Sequence, residues 1–493
     1  MVSEVKEVNF PMYVGGEWTF GDGGESREVR NPATGETIGL IPLGGAADVD
    51  RAVRAARTVA PELARMTAFE RADLCVRMAD AISERKEELA RMLSTEHGKP
   101  LHAEALGEVD ACVAAFRESA EQIKWMTSEI IPMRDPNKRA FALRRPRGVY
   151  GIITPWNFPL GVACIYYLGP GLASGNALVW VPPPSTSAVA SEFMRCVETA
   201  DLPNGAISLI IGEGAVVGDA LVTHPGTNAI GFTGSTATGH TVATRAAGKP
   251  LLLELGGNGP SIVLDDADVA SAASSIAGGS FANAGQICTS TERIIVHEAV
   301  ADELADHLAA LAAEVRLGDP LDPSTTMGPV HTAANARKIV EKVAEAKAKG
   351  ATVLAGGSAR PDMPTEQFIL PTVVDRVVPD AQLNKEETFG PVLPLVRFSR
   401  LSELPSLVTT SPYGLSGAIF SRDAEKALLL AEEIPCGIIN INEASSYWEP
   451  QTPAGGASGS HSGVGRSGGT WSIAEMTELR TVVLNATQRP SLD

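Results

Sequence analysis

One cysteine stands among small and amide-bearing residues in the stretch 281–288, which reads Phe-Ala-Asn-Ala-Gly-Gln-Ile-Cys. Such neighbours do not build a core, so they favour a reachable thiol at Cys288 over the ordinary alternative, a buried structural cysteine. Glu254 ends the apolar run 250–253 and precedes two glycines, 288 − 254 = 34 residues upstream of the cysteine. A thiol nucleophile and a carboxylate base indicate covalent catalysis, provided that the fold brings them together.

A third candidate, Asn157, lies between two prolines in the segment 155–160, directly after the apolar run 148–153. Its amide can donate a hydrogen bond to an oxyanion if the neighbouring prolines hold it in place. The alternative is a simple turn former, which is the usual role of asparagine next to proline.

A phosphate site is predicted at 232–239, where a strand ends and a helix opens. Ser235 would lie at the helix N-terminus and hydrogen-bond a phosphate, or it would only cap the helix. The glycines at 212, 214 and 218 follow another strand, but their GxGxxxG spacing is one residue longer than the dinucleotide fingerprint and is weak alone.

The elements that must position these residues alternate between strand and helix. Apolar periodicity predicts helices at 47–64, 67–95, 104–127, 160–173, 186–199 and 299–315, and strands at 148–153, 177–181, 207–211, 261–264, 292–297 and 438–441. This alternation favours an α/β fold with two doubly wound domains. The apolar run 478–484 predicts a terminal strand without a later partner in the chain, which we expect to pair with a neighbouring subunit.

Composition excludes several classes of protein. The formal net charge of −18, from 41 basic and 59 acidic side chains, disfavours nucleic-acid binding. The cysteines show no CxxC pairs, so neither a disulfide framework nor a metal site is expected, and five of them are predicted to be buried hydrophobes: Cys75, Cys112, Cys164, Cys196 and Cys436. We find no signal peptide and no run of about 18 apolar residues, and expect a cytoplasmic protein without membrane contact.

Nearly the whole chain, from the Gly-Gly-Glu-Trp of 15–18 to the terminal strand, resembles the aldehyde dehydrogenase superfamily. The resemblance implies oxidation of an aldehyde to the carboxylic acid with NAD(P)⁺. Cys288 would form the thiohemiacetal and thioester, Asn157 would donate to the oxyanion, and Glu254 would activate the hydrolytic water. The implied architecture is two Rossmann-like doubly wound domains with a small β oligomerisation arm. The implied boundaries are 1–127 and 147–253 for the cofactor domain, 254–456 for the catalytic domain, and 128–146 and 472–493 for the arm, in a homodimer or homotetramer.

The resemblance also assigns the cofactor residues. Ser235 would contact the pyrophosphate, while Glu387 and Phe389 would contact the nicotinamide ribose and ring. We expect these last two on one side of an extended segment because they are two residues apart; a charged surface loop is the alternative. The full predicted set is Ile153, Thr154, Pro155, Trp156, Val181, Pro184, Gly214, Phe232, Gly234, Ser235, Leu255, Gly256, Glu387 and Phe389.

Two departures from the family pattern concern cofactor and substrate. Residues 181–184 are Val-Pro-Pro-Pro instead of Lys-Pro-Ser-Glu, which removes both side chains that hold the adenosine ribose and leaves NAD mildly preferred over NADP. Residues 453–456 are Pro-Ala-Gly-Gly instead of Pro-Phe-Gly-Gly. This departure removes a ring near the substrate entrance and bears on substrate size. The apolar Ile287 disfavours a phosphorylated aldehyde, and Tyr447 and Trp448 near the predicted entrance favour an aromatic or hydrophobic one.

Two alternatives remain from the sequence. A relative that transfers the acyl group to coenzyme A would generally lack the base that Glu254 supplies. A non-catalytic binding or structural relative would be expected to have lost Cys288 or Glu254, and both are present.

Overall fold

The computed structural model describes residues 9–486 of the chain. Its strands are β1 (Met12–Val14), β2 (Glu17–Thr19), β3 (Ser26–Arg30), β4 (Thr37–Pro42), β5 (Glu129–Ile131), β6 (Lys138–Pro146), β7 (Val149–Ile153), β8 (Ala177–Val181), β9 (Ile207–Leu209), β10 (Ala229–Thr233), β11 (Leu251–Glu254), β12 (Gly259–Val263), β13 (Thr291–His297), β14 (Thr352–Ala355), β15 (Thr372–Asp375), β16 (Val392–Phe398), β17 (Ser416–Phe420), β18 (Ile438–Ile441), β19 (Gly463–Val464) and β20 (Thr477–Asn485).

The α-helices lie between these strands. They are α1 (Ala46–Arg65), α2 (Ala68–Glu84), α3 (Lys86–His97), α4 (Leu106–Trp125), α5 (Gly169–Ala173), α6 (Ser187–Thr199), α7 (Asp219–Thr223), α8 (Thr236–Arg245), α9 (Val269–Phe281), α10 (Glu298–Glu314), α11 (Ala333–Ala348), α12 (Gln382–Lys385), α13 (Leu404–Val408), α14 (Ala424–Glu433) and α15 (Gly469–Glu475).

The first sheet has the strand order β19-β11-β10-β7-β8-β9-β1-β2. Its central strands β11, β10, β7, β8 and β9 are parallel, and short antiparallel strands close both edges. The residues of β7, β8 and β10 are almost entirely buried, as expected when helices cover both faces of a parallel sheet. The register places Thr233 directly beside Glu254.

The second sheet has the order β14-β15-β16-β13-β12-β17-β18 and is parallel except at β14. Each large sheet carries its own hydrophobic core, one built around β7–β9 and the other around β12, β13 and β16. The predicted fold class, two doubly wound α/β units with a small β arm, is therefore confirmed.

The arm is a three-stranded antiparallel sheet in the order β20-β6-β5. β20 pairs with β6 over nine residues, from Thr477 opposite Pro146 to Asn485 opposite Lys138. The terminal strand has a partner in its own chain, more than 300 residues before it, and its pairing with a neighbouring subunit stays a prediction. The domain boundaries stay a prediction, and the predicted residues 1–8 and 487–493 lie outside the described part of the chain.

Three predicted helices differ in detail. The helix expected at 67–95 is two helices, since Arg85 (φ −105°, ψ 14°) ends α2 and begins α3, with its guanidinium donating to the Glu192 carbonyl at 3.0 Å. The helices expected to begin at 104 and 160 each open with a π-helical turn, at Leu101–Ala105 and Ala163–Leu168. Such a turn inserts one residue into a helix without breaking the apolar pattern.

Two features are absent from residues 9–486. No helix there is both long and apolar enough to cross a bilayer. No group of three or more His, Cys, Asp or Glu side chains is arranged to hold a metal ion in the same residues.

Candidate active site

A cavity of about 840 Å³ lies at the carboxyl ends of the parallel strands, the usual place for ligands in open α/β sheets. The segments after β7, β10 and β11 form one side, and the cysteine loop and the loop after α12 form the other. Its lining includes the residues 154–158, 232–235, 254–256, 287–289 and 387–389.

Most of the predicted site residues meet in this cavity. Cys288, Glu254 and Asn157 line it, as do ten of the predicted cofactor residues: Thr154, Pro155, Trp156, Phe232, Gly234, Ser235, Leu255, Gly256, Glu387 and Phe389. Ile153, Val181, Pro184 and Gly214 do not line it. The first two lie within strands of the first sheet, Pro184 opens a short 3₁₀ turn, and Gly214 opens a π-helical turn.

The loop that presents Cys288 is strained and held from within. Asn283 and Ala284 take the left-handed conformation (φ 51° and 53°), and Gly285 follows at φ 74°. Only glycine fits there, because a Cβ would lie 2.1 Å from the Gly390 carbonyl oxygen. The buried Gln286 donates to the Asn283 carbonyl at 2.9 Å. Strain of this kind persists at functional sites where the surroundings enforce it.

The thiol of Cys288 is not acidic in this setting. Burial raises its pKa to about 12, and the negative charges of Glu254 and Glu387 add to the rise. The backbone N–H groups of Cys288 and Thr289 act in the opposite direction by favouring the thiolate. A neutral thiol at physiological pH needs a base to become a nucleophile.

Glu254 lies at the end of β11 with 4% of its surface exposed. Burial raises the pKa of its carboxyl group to about 8, although a hydrogen bond from Ser467 and the charge of Arg466 lower it. The Ser467 hydroxyl donates to Oε1 at 2.6 Å. A carboxyl group with a pKa near neutrality suits a general base.

The Asn157 side chain is buried and fixed in orientation. Its Nδ2 donates one hydrogen bond to the Gln286 carbonyl at 2.9 Å, and the backbone carbonyl oxygen of Asn157 accepts from Lys99 Nζ and Asn283 Nδ2, both at 3.0 Å. An amide NH₂ group has two hydrogens, so one remains for another acceptor. This meets the requirement of an oxyanion donor, a group already oriented before charge develops.

A buried ion pair contacts the turn that carries Asn157. Lys99 and Glu108 pair with side chains 1% and 2% exposed. Oε1 of Glu108 also accepts the backbone N–H groups of Leu160 at 3.1 Å and Gly161 at 2.9 Å. The Lys99 ammonium lies 4.0 Å from the centre of the Phe158 ring. The pair thus contacts the turn on both sides of its second proline.

The segment with Glu387 and Phe389 lines the cavity but is not extended. Phe389 has φ 56°, in the left-handed region, so the expected geometry was wrong. The buried Glu292 carboxylate causes this turn by accepting the backbone N–H groups of Thr388 and, at 2.8 Å, Phe389. The Phe389 ring meets Trp156 edge to face at 5.4 Å.

Two further cofactor candidates have clear hydrogen-bond partners. Burial raises the pKa of Glu387 to about 7, and its Oε1 accepts the Gly257 N–H at 2.9 Å. Ser235 caps α8, accepting the Thr238 N–H at 3.3 Å. The capping role predicted as one alternative for Ser235 is therefore present, and phosphate binding stays a prediction.

The remaining cavity wall is aromatic and apolar. Tyr166 and Trp448 pack edge to face at 5.6 Å and both line the cavity. Tyr447, which the sequence placed beside Trp448 at the entrance, does not line it, and its hydroxyl donates to Glu449 on the surface.

Of the five cysteines predicted as buried hydrophobes, Cys436 is half-buried and the other four are buried.

Several supporting residues were missed by sequence reasoning. Ser467, Glu292, Glu108 and Glu104 each bond a group at the cavity, and Glu104 accepts the Asn283 N–H at 2.8 Å. Ser467 is 213 residues from Glu254, and Glu292 is 97 residues from Phe389. No local spacing links such partners, so the sequence carried no signal for them.

Comparison with known proteins now identifies the family. A sequence model described as the aldehyde dehydrogenase family matches residues 18–482. The chain is 36% identical over 479 residues to a 3-sulfolactaldehyde dehydrogenase of Pseudomonas putida, covering 97% of each chain. It is 36% identical over 475 residues to a glutarate-semialdehyde dehydrogenase of Pseudomonas aeruginosa, covering 96% of this chain and 97% of the other.

Solved structures agree. A succinate-semialdehyde dehydrogenase from Burkholderia pseudomallei superposes with a TM-score of 0.93 at 36% identity, covering 97% of this chain and 98% of that one. A betaine aldehyde dehydrogenase from Staphylococcus aureus, solved with NAD⁺, gives 0.93 at 32% identity, covering 98% and 96%. The chain belongs to the aldehyde dehydrogenase family and oxidises an aldehyde to the carboxylic acid.

Proposed function

Starting from membership of the aldehyde dehydrogenase family, we propose that Cys288 is the nucleophile, Asn157 the oxyanion donor and Glu254 the general base. The observation that carries the proposal is that all three line one cavity, although they come from three separate segments. Asn157 and Glu254 are each held by a side-chain hydrogen bond, and Gln286 holds the loop before Cys288, so the arrangement is fixed before substrate enters.

The chemistry begins with removal of the Cys288 proton. The backbone N–H groups of Cys288 and Thr289 favour the thiolate, and a water molecule accepts the proton, while Glu254, with a pKa of about 8, stays largely neutral at pH 7. The thiolate then adds to the aldehyde carbon, and the new oxyanion takes hydrogen bonds from the free Asn157 N–H and the Cys288 backbone N–H. The product is a thiohemiacetal on the enzyme.

Hydrolysis of the acyl-enzyme uses Glu254 as the base. When bound, a nicotinamide dinucleotide supplies the hydride acceptor for oxidation of the thiohemiacetal to a thioester. Glu254 then takes a proton from water, the oxygen adds to the thioester carbon, and the Cys288 thiolate leaves. The acid product carries one oxygen from that water.

The residues present fit a dinucleotide. Gly234, Ser235 and Thr238 line the cavity at the N-terminus of α8, where backbone N–H groups and the helix dipole favour phosphate. Gly256 lets the Glu387 carboxylate approach, since a Cβ there would lie 2.8 Å from Oε2. We assign Ser235 to the pyrophosphate, Glu387 to a ribose and Phe389 to the nicotinamide. Ile153, Val181, Pro184 and Gly214 remain proposed adenosine-side contacts.

For the choice of dinucleotide we propose a mild preference for NAD. Residues 181–184 offer no cation, and prolines have no backbone N–H, so this segment cannot replace the hydration of a 2′-phosphate. Two lysines line the cavity, Lys338 and Lys342, and both belong to α11 near Glu387. Lys342 donates to the Glu387 carbonyl at 2.8 Å.

For the substrate we propose an uncharged aromatic or hydrophobic aldehyde. The cavity lining here combines small residues, which leave room, with aromatic and aliphatic side chains. The small residues are Gly107, Ala111, Gly161 and Ala454, and the larger ones are Phe158, Ile165, Tyr166, Ile287 and Trp448. The carboxyl groups here are Glu108, paired with Lys99, and Glu104, whose pKa burial raises to about 7. The two lysines that line the cavity lie near Glu387 on the proposed cofactor side, so an anionic aldehyde, such as the semialdehydes in the names of the relatives, would lose hydration without a cation beside it.

The assembly we propose is a homodimer or homotetramer through the arm. Large apolar side chains of the arm strands are exposed, including Ile130 at 71% and Leu479 at 61%. Exposed patches of this kind mark interaction surfaces.

Two variants test the mechanism. Cys288→Ala should abolish reduction of the cofactor, followed by absorbance, whereas the control Cys436→Ala should keep it, because Cys436 is half-buried and outside the cavity. Glu254→Gln should give one rapid turnover and then a slow rate, with the acyl-enzyme visible in the intact-protein mass. Hydride transfer by Cys288→Ala, or wild-type turnover by Glu254→Gln, would remove that residue from the mechanism.

A substrate panel with one cavity variant tests the aldehyde class. The wild type should favour benzaldehyde and hexanal over succinic semialdehyde in kcat/KM. Ala111→Arg adds a cation to the cavity wall and should reverse this order, while the control Ala114→Arg, on the same helix but outside the lining, should not. A wild-type preference for succinic semialdehyde would overturn the assignment.

A further inference from the structure

The hydroxyl group of Ser467 is bonded to the carboxylate that we propose as the base. Ser467 Oγ donates to Glu254 Oε1 at 2.6 Å, and the two residues are 0% and 4% exposed. A hydrogen bond to a charged acceptor in a buried site is stronger than one between neutral groups. The serine is therefore a strong influence on the carboxylate.

The backbone around Ser467 fixes the position of this hydroxyl group. Ser467 exchanges two backbone hydrogen bonds with Ala454, both at 2.8 Å. A few residues earlier, β19 pairs with the end of β11, so that Gly463 lies opposite Glu254 itself. The segment that carries the serine is thus attached to the strand that carries the glutamate. Independent rotation of the two groups would require breaking these backbone contacts.

The two oxygens of the Glu254 carboxylate have different surroundings. Oε1 accepts from the hydroxyl group of Ser467, whose backbone N–H also favours the charged carboxylate, whereas no side chain within residues 9–486 donates a hydrogen bond to Oε2. Glu254 lines the cavity. A carboxylate bonded on one side keeps one oxygen free to accept a proton from water. The direction of that oxygen is set by the bond on the other side.

We propose that Ser467 is a positioning residue for the base: its hydroxyl holds Oε1 of Glu254 so that Oε2 faces the water that hydrolyses the thioester. This inference rests on the proposed role of Glu254. Ser467 itself does not touch the reacting carbon, so it acts through the carboxylate.

The same contact stabilises the charged form of the base. Burial raises the pKa of Glu254 to about 8, and the Ser467 hydrogen bond is the largest effect that opposes this rise. Other charged and titratable groups that influence Glu254, or are influenced by it, are Arg466, Glu475, Cys288, Tyr166 and Tyr167. Removing the donor leaves the others in place, so the pKa of Glu254 should rise further.

The rise in the Glu254 pKa determines how turnover depends on pH. The base works only when it is deprotonated, so turnover falls as the pH drops through its pKa. In Ser467→Ala that fall should move to higher pH by about one to two units, because a hydrogen bond to a charged group is lost. At pH 7, turnover limited by thioester hydrolysis should fall roughly ten- to a hundredfold and should recover as the pH is raised.

The experiment is a pH series of burst and steady-state cofactor reduction with Ser467→Ala. The burst should remain and the acyl-enzyme should accumulate. Ser467→Thr keeps a hydroxyl donor and should restore the wild-type profile, and Ser467→Cys, with a weak donor of similar size, should give an intermediate shift. The matched control is Ser472→Ala, since Ser472 is equally buried on α15 but accepts from the Gly468 N–H.

The possible outcomes separate this inference from its premise. A loss of turnover that is equal at all pH values, with no shift of the midpoint, would mean that Ser467 is only structural and would overturn the proposal. So would a shift of equal size in Ser472→Ala. If Glu254→Gln keeps wild-type turnover, the proposed base is wrong and the premise fails. If Glu254→Gln stalls at the thioester while Ser467→Ala keeps the wild-type profile, only the positioning role fails.

Discussion

The buried pair of Lys99 and Glu108 should couple folding stability to the position of the oxyanion donor. Glu108→Gln keeps the acceptor for the Leu160 and Gly161 N–H groups but removes the charge opposite Lys99. With side chains 1% and 2% exposed, the lysine would be left buried and unpaired. Breaking such a pair from one side costs about 3–5 kcal/mol, because the remaining charge has lost its hydration without compensation.

The expected loss of folding stability is larger for this buried pair than for a surface pair. Asp80 and Arg117 are separated by 3.4 Å with side chains 58% and 59% exposed, so Asp80→Asn should cost less than about 1 kcal/mol. Lys99→Met should be as costly as Glu108→Gln, whereas the double variant removes both charges and should cost less than the sum of the two. This non-additivity is the signature of direct coupling.

Activity provides a second readout. Lys99 Nζ donates to the Asn157 carbonyl at 3.0 Å, so Lys99→Met frees the turn that carries the oxyanion donor. Loss of a complete oxyanion donor costs about a hundred- to a thousandfold in rate, and a loosened donor should cost less, roughly tenfold in the burst phase. The assays are urea denaturation of the variants and rapid-quench measurement of the first turnover. Additive stability losses, or a burst rate unchanged in Lys99→Met, would refute the reasoning.

Four further changes have expected outcomes: a change of pH, substitution of Glu292, substitution of Val181 and removal of the terminal strand. Turnover limited by hydrolysis should fall about tenfold per pH unit below the Glu254 pKa of about 8 and level off above it, as a pH series of steady-state rates will show. Glu292→Gln replaces one of the two oxygens that accept the Thr388 and Phe389 N–H groups by an NH₂ donor, so the KM for NAD should rise several-fold while that for aldehyde changes little. Val181→Lys should tighten both dinucleotides in a fluorescence titration, NADP about ten- to a hundredfold, and tight NADP binding by the wild type would contradict the argument. A chain ending at Glu478 lacks most of β20 and should give smaller species or aggregates in light scattering, whereas an unchanged oligomer would count against an arm-mediated interface.

The sequence predicted those parts of the site whose signal is local. Cys288, Glu254 and Asn157 each stand in a short segment with a distinctive composition, and apolar alternation predicted the strands that end beside them. These features depend on neighbours in the chain, so they can be found by reading along it. The six strands with predicted ranges lie within a few residues of those ranges for the same reason.

What the sequence could not predict depends on distant partners. Phe389 adopts the left-handed conformation because Glu292 binds the N–H groups of its turn, and two residues so far apart leave no common pattern. The π-helical turns at Leu101–Ala105 and Ala163–Leu168 insert a residue where the apolar pattern continues unchanged. The partner of β20 precedes it in the chain, so looking only for a later strand missed it.

The buried carboxyl groups impose an order on the proposed chemistry. Glu254 and Glu387 both raise the pKa of the Cys288 thiol, so the thiolate is least favoured while they are charged. Hydrolysis, in contrast, needs Glu254 charged. Protonation of Glu254 resolves the conflict, since a neutral carboxyl group places no negative charge beside the thiolate as the thiolate forms. Glu254 must then release its proton before it can activate water. We therefore expect Glu254 to be neutral in the first half-reaction and charged in the second.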